Sequence, residues 1–134
     1  MKLLNKTIEK RFAKIGSQED KKDPIVVVKF FNPVGAGTWW ATELVEYRME
    51  DPKGHNYYTK SYKMKESRLK KGWKVYDVIF YGYVSIFNDH CDEWGSFCLS
   101  ELESIKGWGG LGIERDLHCG EQKISKFNIK TLSL

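Results

Sequence analysis

Two carboxylates and an imidazole stand at alternate positions in Glu114-Arg115-Asp116-Leu117-His118. On an extended chain Glu114, Asp116 and His118 would share one face, with Ile113, Arg115 and Leu117 on the other. Such a trio could hold a divalent metal or act as acid and base, the equipment of a small metal-assisted hydrolase. The plainer reading pairs Arg115 with carboxylates, pinning the segment to a neighbour through Glu43, and leaves His118 on the surface. A metal centre also needs a pocket and outer hydrogen-bond partners for its ligands, and the sequence displays neither.

His90-Cys91, Cys98 and His118-Cys119 supply zinc-type ligands in the wrong arrangement. Structural zinc knuckles space their cysteines by two to four residues, whereas six separate Cys91 from Cys98. Adjacent His and Cys side chains on a strand also point apart. A Cys–His nucleophile would require the fold to carry Cys98 to His118 or His90. Three cysteines fit reduced thiols of a cytoplasmic protein better than a disulfide framework. No metal and no cofactor is expected, and the balance leans away from an enzyme.

A third constellation is larger. Residues 48–74 hold nine cations (Arg48, Lys53, Lys60, Lys63, Lys65, Arg68, Lys70, Lys71, Lys74) against Glu50, Asp51 and Glu66, a local charge of +6 in a chain whose net charge is +4. Tyr57, Tyr58, Tyr62 and Trp73 are interleaved with them. Cations neutralise phosphates while aromatic rings stack on bases, so Arg48, Tyr57, Tyr58, Lys60, Lys63, Lys65, Arg68, Lys70, Lys71, Trp73 and Lys74 form a candidate binding set for nucleic acid. Two other readings fit the same residues: a solvated hairpin whose lysines keep an exposed edge from aggregating, and a surface for an acidic protein partner. Adjacent Trp39 and Trp40 must face opposite sides of a strand, so one of them could belong to an exposed apolar patch unless another element covers it. The glycines of Gly107-Trp108-Gly109-Gly110-Leu111-Gly112 follow a predicted helix instead of a strand, which suits neither a dinucleotide nor a phosphate loop.

The elements that must position these residues follow from spacing. Leu4, Ile8, Phe12 and Ile15 mark a short amphipathic helix capped by Asn5 and stopped at Gly16. Residues 25–31, rich in β-branched and aromatic types, read as a buried strand; a turn at 32–37 makes a hairpin with a second strand over 38–45. A third strand spans about 75–87 and a fourth 94–99. Ser100-Glu101-Leu102-Glu103 has capping-box form and opens a short helix near 100–106. Residues 113–119 read as a last extended segment, and Ile124, Phe127, Ile129 and Leu132 let the tail dock. Strands and helices without βαβ alternation predict an α+β fold, with a mainly antiparallel sheet of about four to five strands. At 134 residues, 1–134 reads as a single domain with a basic strand-connecting insertion at about 48–74. No apolar run approaches the ~20 residues of a membrane helix, and the N-terminus lacks signal-peptide character.

The blocks Gly16-Ser17-Gln18, Asp23-Pro24 through Asn32-Pro33, Trp40-Ala41-Thr42-Glu43, Phe80-Tyr81-Gly82-Tyr83-Val84, 95–103 and 111–118 stand in this order along the chain. Together they resemble one bacterial family, domain of unknown function 2958. The resemblance runs through nearly the whole chain outside 46–76. It implies a small cytoplasmic protein carried on plasmids, phages and conjugative elements, and brings no agreed activity with it. The expectation is a non-enzymatic accessory protein that binds a host protein, such as a nuclease complex, or nucleic acid, of the anti-restriction or anti-CRISPR type. No membrane is expected among its partners. A nucleic-acid module built on 48–74 and a hydrolase built on Glu114, Asp116 and His118 are the alternatives.

Overall fold

The computed structural model describes residues 2–86, 92–106, 108–127 and 129. The first apolar stripe winds into α1 (Lys6–Ile15), where the Asn5 side chain accepts a hydrogen bond from the Ile8 N–H at 2.9 Å. Gly16 ends the helix at φ 69°, a conformation that glycine adopts without a Cβ penalty. The strand expected at 25–31 divides at Val27 into β1 (Ile25–Val26) and β2 (Val28–Phe31). β3 (Thr38–Glu50) runs five residues beyond the expected strand and is followed by β4 (Asn56–Thr59), α2 (Tyr62–Leu69) and β5 (Lys74–Ser85). Then come β6 (Glu93–Cys98), α3 (Leu99–Ser104), β7 (Glu114–Arg115) and β8 (Gln122–Lys123).

One six-stranded sheet runs β6-β5-β3-β2-β7, with β4 also on β3, and β1 pairs with β8 in a separate ribbon. Every pairing is antiparallel, as the α+β reading predicts. β5 lines one flank of β3 from Thr38 to Glu50. The other flank is shared: β2 takes Thr38–Ala41 and β4 takes Tyr47–Glu50. This division gives the sheet a proximal half and a distal half.

The two halves are covered differently. α1 packs on the inner face of the sheet, where Phe12 meets Phe80 with ring centroids 5.8 Å apart, and Phe80 in turn meets Phe30 and Phe97. On the outer face of the proximal half, Trp40 and Tyr83 are buried with Val26 and Ile124, and Trp94, Phe127 and Ile129 pack around them. The docking tail therefore seals this face, with Leu132 outside the described residues. Trp39 belongs to the inner cluster. Both tryptophans are buried, so the candidate apolar patch at Trp39 and Trp40 is not on the surface: each face of the strand has its own cover.

α2 carries no legible apolar stripe because the residue at the centre of its inward face is a lysine. Lys65 is buried and paired with the buried Glu9 of α1, and its ammonium lies 4.9 Å from the Tyr47 ring centre and 5.7 Å from that of Tyr62. The predicted capping box at 100–103 does not form. α3 starts one residue earlier, with Cys98 at its N-cap, and the Ser100 hydroxyl instead donates to Asp77 at 2.7 Å.

Three of the resembling blocks have structural work. The buried Gln18 carboxamide donates to the carbonyls of Ile25 and Thr42 at 2.8 and 2.7 Å and accepts from the Ile25 N–H at 2.7 Å. It thereby stands in for a strand where β1 leaves the sheet. Glu43 accepts from the Gln18 N–H at 3.1 Å. Gly82 faces the Trp40 carbonyl so closely that any Cβ would run into it.

Candidate binding surface

The structure takes the acid–imidazole trio apart. β7 stops at Arg115, and Asp116 begins a turn in which its carboxylate accepts the His118 N–H at 2.9 Å while pairing with Lys29 at 3.7 Å. Glu114, Asp116 and His118 therefore do not line one extended face. Arg115 donates to the carbonyls of Lys2 and Leu3 at 2.8 and 3.3 Å, not to Glu43, and so fastens the chain start to the sheet edge. Among the described residues no three of His, Cys, Asp and Glu gather where a metal could be held. Burial raises the thiols of Cys98 and Cys119 above their usual value, the opposite of what activates a nucleophile. His90 and Cys91 lie outside the described residues.

The basic segment forms the distal half of the sheet and the helix packed on it, and its cations other than Arg48 fall into two groups. Lys65 and Arg68 are internal fittings. The Arg68 guanidinium lies 3.5 Å from the centre of the Tyr57 ring and 4.5 Å from that of Trp73, whose rings meet edge to face at 5.3 Å. This sandwich clamps α2 to β4 and removes Tyr57 and Trp73 from any stacking role. Burial, and then the nearby Glu9 carboxylate, push the Tyr47 phenol far above its normal range, so it stays neutral beneath Lys65. Lys53, Lys60, Lys63, Lys70, Lys71 and Lys74 make up the second group, all exposed.

Among the described residues none covers the outer face of this half. Register places Arg48 opposite Tyr58 on one side and opposite Asp77 on the other, while Met49 faces Val75. The step from Asp77 to Val75 leaves Tyr76 as the extra residue of a β-bulge, which re-aims its side chain outward. Tyr76 is 44% exposed and Tyr58 is 54% exposed, and the Arg48 guanidinium lies 5.2 Å from the Tyr58 ring centre. Burial and the neighbouring Tyr58 hydroxyl raise the Tyr76 phenol, so this ring is neutral at physiological pH. The acids of this face are occupied. Asp77 accepts from the Ser100 N–H and hydroxyl and from the Val78 N–H at 3.0, 2.7 and 2.8 Å, and Glu46 sits 4.0 Å from Arg48. Although burial pulls the Asp77 carboxyl upward, these hydrogen bonds outweigh it and hold the group below the usual range.

Tyr76 is the residue that sequence reasoning missed. The signal was available: Val75, Val78 and Phe80 all contact the core, and an odd interval followed by an even one in a strand requires one inserted residue.

A cleft of about 540 Å³ opens where neither β2 nor β4 covers β3. Its walls come from α1 (Phe12, Ala13), β3 (Glu43–Val45) and the turn Lys60-Ser61-Tyr62. One of its carboxylates, Glu9, is already neutralised by Lys65.

These features define the class: a split antiparallel α+β sheet with a sealed proximal half and a basic, open distal half. The family model of DUF2958, described as a protein of unknown function, matches residues 3–51 and 75–131, and the chain belongs to that family. The match passes over 52–74, the turn, strand and helix that build most of the distal half. No curated protein and no solved structure matches the chain. No helix among the described residues is long and apolar enough to cross a membrane.

Proposed function

We propose that this chain is a non-enzymatic binding protein that grips nucleic acid through its distal half. The observation that carries this reading is the sorting of the basic segment. Lys65 ties the segment to α1 and Arg68 clamps α2 onto β4 within it, while Lys53, Lys60, Lys63, Lys70, Lys71 and Lys74 remain exposed on that projection. Phosphates condense counterions, and their release on contact with fixed lysines drives association without any sequence reading. The setting implied by the family resemblance, a bacterial mobile element in the cytoplasm, gives such binding a use. The protein would mask nucleic acid from a host restriction or CRISPR nuclease by occupying it. The alternative of a hydrolase at Glu114, Asp116 and His118 has no geometric support.

The test is anisotropy of labelled DNA with the purified protein over a salt series. With about four phosphate contacts, affinity between 50 and 200 mM salt should fall ~50-fold for a single strand and ~150-fold for a duplex. Replacing the six exposed lysines by glutamine should abolish binding and leave the melting temperature nearly unchanged. Capture of a host protein by a chain that does not bind DNA at low salt would overturn the reading in favour of a protein partner.

A further inference from the structure

The tyrosines of the distal half are divided as sharply as its cations. Tyr57 is turned inward and clamped by Arg68, whereas its neighbour Tyr58 faces out, and the bulge in β5 brings Tyr76 to the same open face. Neither Tyr58 nor Tyr76 helps to fill a core: neither belongs to the buried clusters, and roughly half of each ring is in solvent. Two exposed rings on a stiff sheet, with an arginine against one of them, form a surface for other flat groups. In water the planar partners that combine ring faces with regularly spaced negative charge are the bases of a nucleic acid strand.

Resting on the proposed nucleic-acid grip, we infer that the Tyr58–Tyr76–Arg48 face is a stacking platform for unpaired bases, and that the preferred ligand is a single strand. The charge pattern supports this choice. Asp77 and Glu46 are engaged by Ser100 and Arg48, and Glu50 stands opposite Lys74 in register, so the face is close to balanced. Lys74 precedes Tyr76 by two and stands opposite Glu50 in register, on the side of the sheet that carries Arg48. A phosphate would thus meet Lys74 at the rim while bases lie over the rings. A duplex keeps its base faces stacked inside and cannot use the rings.

The experiment compares a labelled dT oligonucleotide of about 15 nucleotides with a duplex of equal length, using the full chain. The single strand should bind at least 10-fold more tightly. Tyr58→Ala and Tyr76→Ala should each weaken it about 10-fold, the usual scale of one base–aromatic stack, without changing the salt slope. Tyr58→Phe keeps the ring and should restore binding, which separates stacking from loss of the hydroxyl. Melting curves identify any alanine variant that fails to fold, and the phenylalanine variant then carries the test through the strand-versus-duplex ratio. Equal binding of strand and duplex, with alanine variants like the parent, would refute the platform and leave the electrostatic grip intact. No binding of either at low salt would refute both.

Discussion

The proximal and distal halves of one sheet solve the same problem in opposite ways. Proximally, both faces are sealed with apolar groups: Trp39 and the phenylalanines on the inside, Trp40 and Tyr83 beneath the tail on the outside. Distally, the described residues cover only the inner face, and polar groups do much of the covering through the Lys65–Glu9 pair and the Arg68 sandwich. A sealed half needs only to be stable. The open half keeps its shape with one face exposed, which is what a rigid recognition surface requires. The family match follows the same line, taking in the proximal strands and passing over 52–74.

The largest expected effect breaks the proximal half. Gly82→Val would drive a side chain into the Trp40 carbonyl and force β3 and β5 apart, costing about 4 kcal/mol or preventing folding. Thermal or urea melts measure this directly. Next, Lys65→Met removes one partner of the buried pair and strands the Glu9 carboxylate beneath α2, a loss of about 3 kcal/mol. A double change, Lys65→Met with Glu9→Leu, should recover most of that loss, because burying neither charge is less costly than burying one. DNA binding should weaken in the single variant, since α2 loses its seat, and largely return in the double.

The smallest effect lies at the join between platform and body. Asp77→Asn should lower stability by about 1 kcal/mol at pH 6. The folded Asp77 carboxyl sits below its unfolded value, so its contribution is complete above about pH 4 and fades as the pH falls through the lowered value. The gap between parent and variant in melting temperature should therefore close in acid. A gap that persisted at a pH well below the lowered value would show that the carboxylate is not what the asparagine fails to replace.

Much of this molecule was legible because local rules governed it. The Leu4–Ile15 stripe, the Asn5 cap and the Gly16 stop are short-range physics, and the helix formed as read. The β-branched runs became strands, the tail docked through Ile124, and the excess positive charge of 48–74 was plain from composition. Other readings failed where distant residues competed. Ser100 looked like a helix cap until Asp77, brought alongside by β5, offered a charged acceptor. Asp116 looked like a metal ligand until Lys29 and the His118 N–H engaged it. α2 stayed hidden because its inward face is built on a lysine, and a lysine signals solvent unless a carboxylate is waiting.

The sequence by itself thus determined the class of fold, the order of most elements and the place of the charge, since each depends on neighbours within a few positions. Only the tertiary structure decided which cations are internal and which are free to bind, and which aromatic rings are clamped and which are open. Those outcomes depend on what a strand from elsewhere brings within about 4 Å, at which distance a charge gains a partner or keeps its water.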